Sequence, residues 1–313
     1  MRRNVLLVLA SFWPLTLAAV GHAQGPSPEN GATLFPGGAL VSHSSNFTMG
    51  TAIAPPGGTS PLEGARPTSA YEGTATFAWG FRRDFQLTAL APYAVHRFEL
   101  SQPTSALEVG GSGWGDAQLL LKYRFLRRDS LRGTTQASIE VGPKLPTGRT
   151  DLRDSAGALL PAGLQPGSGS TDLVINGSGT YTGVFHIKRL VADGTVSWLR
   201  RSEGTQGTRL GDAFLARFWL SYRPYQSKSV GREWFIGPSL AWHRLGRDRQ
   251  NDASIERSGG DLLLAGITSY VSTHAGIVFW LALDFPVGEW TQSAVSFDRR
   301  VNFGITKQFS LHH

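Results

Sequence analysis

Asp116-Ala117-Gln118-Leu119-Leu120-Leu121-Lys122-Tyr123-Arg124-Phe125 alternates along its whole length. Ala117, Leu119, Leu121, Tyr123 and Phe125 share one parity; Asp116, Gln118, Lys122 and Arg124 share the other. A period of two places these sets on opposite faces of an extended strand, one apolar and one charged. The following run repeats the pattern, because Ala137, Ile139, Val141 and Leu145 alternate with Gln136, Ser138, Glu140 and Lys144. Two consecutive strands therefore carry charge on one side and hydrocarbon on the other.

The same alternation recurs in both directions along the chain. Phe85, Leu87, Ala89, Ala91, Tyr93 and Val95 oppose Gln86, Thr88 and His96; Phe214, Ala216, Phe218, Leu220 and Tyr222 oppose Arg217, Trp219, Ser221 and Arg223. Near the end, Val301, Phe303, Ile305 and Phe309 oppose Arg300, Asn302, Thr306 and Gln308. About twelve such segments are predicted, an even number as single-chain outer-membrane barrels require. They lie near 33–48, 69–80, 85–98, 114–126, 133–146, 170–183, 188–201, 209–224, 232–246, 259–270, 273–287 and 298–310.

Connections alternate in character. Tight ones fall at 81–84, 127–132, 184–187, 224–232 and 271–272, whereas longer Gly/Pro/Ser-rich ones fall at 50–68, 99–113, 147–169, 202–208, 247–258 and 288–296. Both termini then lie on the short-turn side, which is the periplasmic side of such barrels. A soluble β-sandwich also alternates, but its strands are usually shorter than these segments. Aromatic residues near segment ends, among them Tyr93, Tyr123, Phe125, Trp198, Trp234, Trp242 and Phe285, are placed as interfacial girdles require. The predicted fold is all-β, a transmembrane antiparallel barrel.

Composition agrees. The 313 residues include 38 Gly and 17 Pro, with 41% hydrophobic, 11% aromatic and 17% charged residues, too polar for a helical membrane bundle and too aromatic for a disordered chain. The absence of cysteine excludes disulfides, thiolate zinc sites and a Cys nucleophile. The net charge of +7 is spread over strands and turns rather than along a basic helix or stripe, so no nucleic-acid partner is expected. Residues 1–23 read as a signal peptide: Arg2 and Arg3, an apolar stretch from Val5 to Val20, then Gly21-His22-Ala23 as the cleavage site. The expected organisation is a signal peptide over 1–23 and a barrel domain over 24–313, exported to the bacterial outer membrane.

The stretch Gly142-Pro143-Lys144-Leu145-Pro146-Thr147-Gly148, followed by Leu164-Gln165-Pro166-Gly167-Ser168-Gly169-Ser170-Thr171-Asp172, resembles the MetA-pathway of phenol degradation family. Gly115-Asp116 and Lys122-Tyr123-Arg124-Phe125 fit the strand preceding that loop in the same family. The resemblance is specific over 113–183 and architectural elsewhere. It implies an outer-membrane β-barrel with a transporter-like role.

Candidate site residues follow from the faces. Asp116, Lys122, Arg124, Glu140, Lys144, Arg217, Arg223, Asp284 and Arg300 are expected in the lumen, where they either line a solute path or pair with one another in a plugged interior. The long loop 147–169 either folds back as a constriction carrying Arg149, Asp151, Arg153 and Asp154, or stands exposed. His43-Ser44-Ser45-Asn46 resembles the catalytic stretch of outer-membrane lipid hydrolases. His43 and Ser45 share a strand face with Ala39, Val41 and Phe47, although no orienting partner for His43 is assignable. The remaining histidines show no metal-ligand spacing, the Gly-rich stretches lack a phosphate-loop Lys-Ser/Thr, and no cofactor is implied.

The reading is a non-enzymatic channel for facilitated diffusion of small molecules, hydrophobic or aromatic ones among them. The alternatives are a lipid hydrolase using His43 and Ser45 and a closed structural or adhesive barrel. Expected partners are outer-membrane lipids, a small-molecule solute and, for folding, the barrel-assembly machinery.

Overall fold

The computed structural model describes residues 31–311 apart from 53–65, 102–105, 132, 154–156, 161, 227–231, 256–257 and 292–294. The expected signal peptide and its cleavage site lie outside the described residues.

Among the described residues there are sixteen strands: β1 Gly38–Ala52, β2 Arg66–Arg82, β3 Phe85–Ser101, β4 Ala106–Trp114, β5 Gln118–Ser130, β6 Gly133–Lys144, β7 Asp172–Thr182 and β8 Leu190–Arg200 come first. They continue with β9 Thr208–Arg209, β10 Ala213–Gln226, β11 Glu233–Leu245, β12 Arg249–Gln250, β13 Ala253–Ser254, β14 Gly260–Ser272, β15 Ile277–Thr291 and β16 Val295–Ser310. Each long strand pairs antiparallel with its sequence neighbour, and β1 pairs with β16, from Gly38 opposite Ser310 to Ala52 opposite Val295. The sheet closes on itself. Because β4 and β5 form one crossing, the barrel has twelve transmembrane strands, as the alternation predicts. The three short strands β9, β12 and β13 make a separate flap on the long-loop face.

Closure through β1 and β16 leaves no sheet edge across the apolar belt, so the twelve crossings meet their backbone hydrogen-bonding needs within the sheet, the condition for crossing hydrocarbon. The outer surface is apolar: Leu119, Leu121, Ile267, Phe279, Leu281, Phe303 and Ile305 are each 41% or more exposed. Their neighbours in sequence face inward, with Gln118, Lys122, Thr268, Val278, Ala282 and Asn302 at 6% or less. An apolar exterior around a closed antiparallel barrel is that of a bacterial outer-membrane protein.

Strand bounds differ from the sequence expectation mainly on the long-loop side. β1, β2, β3 and β15 extend into stretches expected as loop, up to Ala52, from Arg66, to Ser101 and to Thr291, because backbone pairing continues past the apolar belt. The crossing of β4 into β5 breaks at Gly115-Asp116-Ala117. There the register against β3 slips by one residue, between Tyr93 opposite Trp114 and Leu90 opposite Gln118. Pro92 sits opposite the slip and lacks an N–H; its carbonyl accepts from Gly115 N at 2.8 Å. The slip is a β-bulge, and it aims Asp116 into the barrel.

Candidate functional site

The lumen is organised in levels. At the short-turn mouth, residues 31–37 cross the opening as a strap. Gly31 N donates to Thr180 Oγ1 on β7 at 3.0 Å, Leu34 N to Gln86 Oε1 on β3 at 3.1 Å, and Thr33 Oγ1 to the Arg83 carbonyl at 3.0 Å. Arg124 lies at this level, its Nη2 2.7 Å from Asp84 Oδ1 and its Nη1 bonded to Gln136. Arg223 pairs with Glu233 at 3.0 Å and lies over the Phe235 ring.

Midway up are two polar groups. Lys122 faces Glu140 in register, and Glu140 Oε2 accepts from Asn176 Nδ2 at 3.1 Å. On β10 to β16, Asp284 Oδ2 receives Arg217 Nη2 at 3.1 Å and Asn302 Nδ2 at 2.9 Å, with Arg300 opposite Asp284 in register. The Arg217–Asp284 pair spans β11 and β14, which present small groups beneath it: a Cβ on Gly266 would meet Asp284 Oδ1 at 2.4 Å. Lys122, Glu140, Asp284 and Arg300 are each 8% exposed or less.

Above that belt an apolar band appears in the wall, with the buried polar side chains of His243 and Gln118 set among it. Leu90, Leu120, Val174, Leu199, Leu215, Leu245, Leu262 and Leu264 form one inward-facing cluster drawn from β3, β5, β7, β8, β10, β11 and β14. The long loop between β6 and β7 folds down towards it. Leu152, Leu160, Ala162 and Leu164 are 8% exposed or less, and Leu152 packs on the inner face of β4, where a Cβ on Gly111 would lie 2.4 Å from it. The Gln165 side chain holds the loop in shape: its Oε1 accepts from Leu152 N at 2.9 Å and its Nε2 donates to the Leu152 and Leu160 carbonyls. The loop's charges lie elsewhere: Arg149 bonds Asp151 at 2.7 Å on the exposed side, Arg153 donates to the Gly157 carbonyl, and Asp154 is outside the described residues. Arg149 holds the Asp151 carboxyl below its ordinary range.

A buried clamp sets the loop's position. Lys144 Nζ at the end of β6 lies 2.6 Å from Asp116 Oδ2, 2.8 Å from Asp172 Oδ2 at the start of β7, and 2.6 Å from Ser168 Oγ. Asp116 then ties down both ends of the loop. Its Oδ1 accepts from Gly148 N at 2.9 Å and its Oδ2 from Ser168 N and Ser168 Oγ. Glycines make the crossing possible, since a Cβ on Gly148 would lie 2.6 Å from Gly167 Cα. Lys144, Asp116, Gly148, Gly167, Ser168 and Asp172 all belong to the motif quoted above; what that motif builds is this clamp. Between loop and wall remains a cavity of about 80 Å³ whose lining includes Glu72, Pro92, Ala162, Leu199 and Arg201.

His43 and Ser45 lie on the outer, membrane-facing surface. His43 Nε2 and Ser45 Oγ are 3.1 Å apart, and Tyr71 on β2 brings its hydroxyl to 3.3 Å from the same Oγ. Ser45 is 3% exposed, and no described side chain orients the other ring nitrogen of His43. Among the described residues no group of His, Asp and Glu is spaced to hold a metal ion.

No family model and no curated protein matches the chain by sequence. Solved structures do. The COG4313 outer membrane channel from Pseudomonas putida F1 superposes with a TM-score of 0.64 at 15% identity, over 91% of this chain and 100% of that one. The beta domain of the Bordetella autotransporter BrkA covers 87% of this chain and 100% of its own, with a TM-score of 0.46 at 10% identity. LpxR from Salmonella typhimurium covers 86% and 99%, with a TM-score of 0.43 at 11% identity. The chain therefore shares the fold of a solved outer membrane channel and is itself a closed outer-membrane β-barrel.

Proposed function

We propose that the protein is a passive outer-membrane channel for small, predominantly apolar molecules, aromatic ones among them. The observation that carries this reading is the inward-facing leucine cluster of the upper wall, beneath an inward loop whose own Leu152, Leu160 and Leu164 are buried. A water-filled porin has a polar lumen. An apolar compartment with a few polar groups at its margin suits ligands that prefer hydrocarbon to water. The inward loop is the gate in this reading, the mid-lumen charges are its selective belt, and solute movement follows the concentration gradient. A cleaved signal peptide and folding by the barrel-assembly machinery belong to the same reading.

The lipid-hydrolase alternative keeps one observation in its favour, the His43–Ser45 hydrogen bond, and lacks both an exposed nucleophile and, among the described residues, a group orienting His43. The likeness to the channel from Pseudomonas putida F1 supports a channel over a closed structural barrel as an analogy of fold.

The test uses intact cells and proteoliposomes with the full chain. Radiolabelled toluene should accumulate faster in cells carrying the protein, and proteoliposomes should swell only slowly in arabinose. Fatty-acid release from phospholipid vesicles, abolished by Ser45→Ala, would replace the channel by the hydrolase. Absence of uptake, swelling and release alike would leave the closed barrel.

A further inference from the structure

Two arginines face each other where no arginines would be expected. In the flap on the long-loop face, β9 and β12 form a ladder of two residue pairs, and one of them is Arg209 opposite Arg249. Like charges directly opposite on adjacent strands repel, and nothing in so short a ladder compensates through packing. The flap nonetheless fixes them there. Asn251 N donates to the Gly207 carbonyl at 3.0 Å, and Asp248 Oδ1 accepts from Gly211 N at 2.7 Å. Left-handed residues border both strands, Gln206 (φ 63°) and Gly207 (φ 59°) before β9, and Asn251 (φ 47°) and Asp252 (φ 64°) in the two-residue turn from β12 to β13.

The opposed pair borders a cleft of about 320 Å³, which Arg200 also lines. Arg201 forms part of the wall but is buried, with Asp212 bonded to its backbone N–H. Two acids, Glu203 and Asp252, reach the cleft as well, yet among the described residues neither pairs with Arg200 or Arg249; of these three arginines Arg209 alone has a carboxylate, Asp212, at 3.4 Å. Arg200 ends β8 two residues beyond Trp198, on the same outward face, so the cleft stands just above the aromatic edge of the membrane-facing surface.

We propose that this cleft binds a phosphate group, with Arg209 and Arg249 as its two prongs and Arg200 as the third contact. Guanidinium groups match phosphate oxygens in fork geometry, and a phosphate between them removes the repulsion built into the ladder. The phosphate comes either from an outer-leaflet lipid headgroup, which the position above Trp198 favours, or from a free polyanion. The inference does not depend on the channel reading.

The experiment is native mass spectrometry of the full chain in detergent with bisphosphorylated lipid A in one arm and inorganic pyrophosphate in the other. Arg209→Ala with Arg249→Ala should weaken binding at least about tenfold, since hydrogen bonds to charged groups are lost, whereas Arg128→Ala at the opposite end should leave it unchanged. Lipid A retained and pyrophosphate not retained identifies the lipid as the source; the reverse identifies a soluble anion. In the unaltered protein, the effective probe should also protect Arg209 and Arg249 from phenylglyoxal, a reading that does not depend on the variant folding. No retention of either probe and no protection, or lipid A binding indifferent to the double substitution, overturns the proposal.

Discussion

Lys144 and Asp116, which are 28 residues apart, meet at 2.6 Å with both side chains 5% exposed, and between them they fasten the inward loop to the barrel wall. Lys144 faces two carboxylates, Asp116 and Asp172, so its loss strands two buried acids. Lys144→Met should cost about 3 to 5 kcal/mol by that mechanism. It should also free the loop, and the measurement is unfolding of the heat-modifiable barrel together with protease cleavage near Leu159. A Lys144→Met barrel with unchanged stability and an uncleaved loop would remove the clamp from the account.

Glycines supply a sharper contrast. Gly148 crosses Gly167 so closely that a methyl group at either position meets backbone, while a methyl group on Gly163 of the same loop would have nothing within 4 Å. Gly148→Ala should therefore displace the loop and raise protease sensitivity, and Gly163→Ala should do neither.

The wall was legible in the sequence and the upper lumen was not, for one physical reason. A period of two sorts residues only when the two parities differ in polarity, as Leu119 and Lys122 do. In Leu119-Leu120-Leu121 and Leu262-Leu263-Leu264 both parities are apolar, so the inward Leu120, Leu262 and Leu264 looked like their membrane-facing neighbours. Asp116 and Lys144 share the polar parity of their segments in the sequence, but their partnership depends on the bulge opposite Pro92 and on a loop returning 24 residues later at Ser168. The opposed Arg209 and Arg249 carry no sequence signal, since a two-residue ladder between separate loops has no periodicity to read.

Depth along the outer face sets the cost of charge. Ile267 lies in the middle of β14 and is 58% exposed, whereas Val287, 59% exposed, lies near the long-loop end of β15. Ile267→Arg should cost about 2 to 4 kcal/mol and Val287→Arg about 1 or less. Equal losses in urea titrations of the two variants would place the membrane boundary elsewhere.

The belt of Arg217, Asp284 and Arg300 makes an asymmetric prediction. Asp284 is the acid between two arginines, bonded to Arg217 at 3.1 Å and opposite Arg300 in register. Arg217→Ala removes one cation but leaves Asp284 with Arg300 and with Asn302 Nδ2 at 2.9 Å, so the acid keeps partners and stability should fall only slightly. It also removes the side chain that reaches over β11 and β14, which should widen the lumen and raise single-channel conductance in planar bilayers. Asp284→Asn does the reverse: it removes the acid that Arg217 and Arg300 share, a loss on the order of 3 to 5 kcal/mol. If Arg217→Ala instead unfolds the barrel while Asp284→Asn is tolerated, the belt is held by contacts other than this pair. Unchanged conductance in a well-folded Arg217→Ala protein would place the narrowest point elsewhere, with the clamped loop above the belt as the next barrier to test.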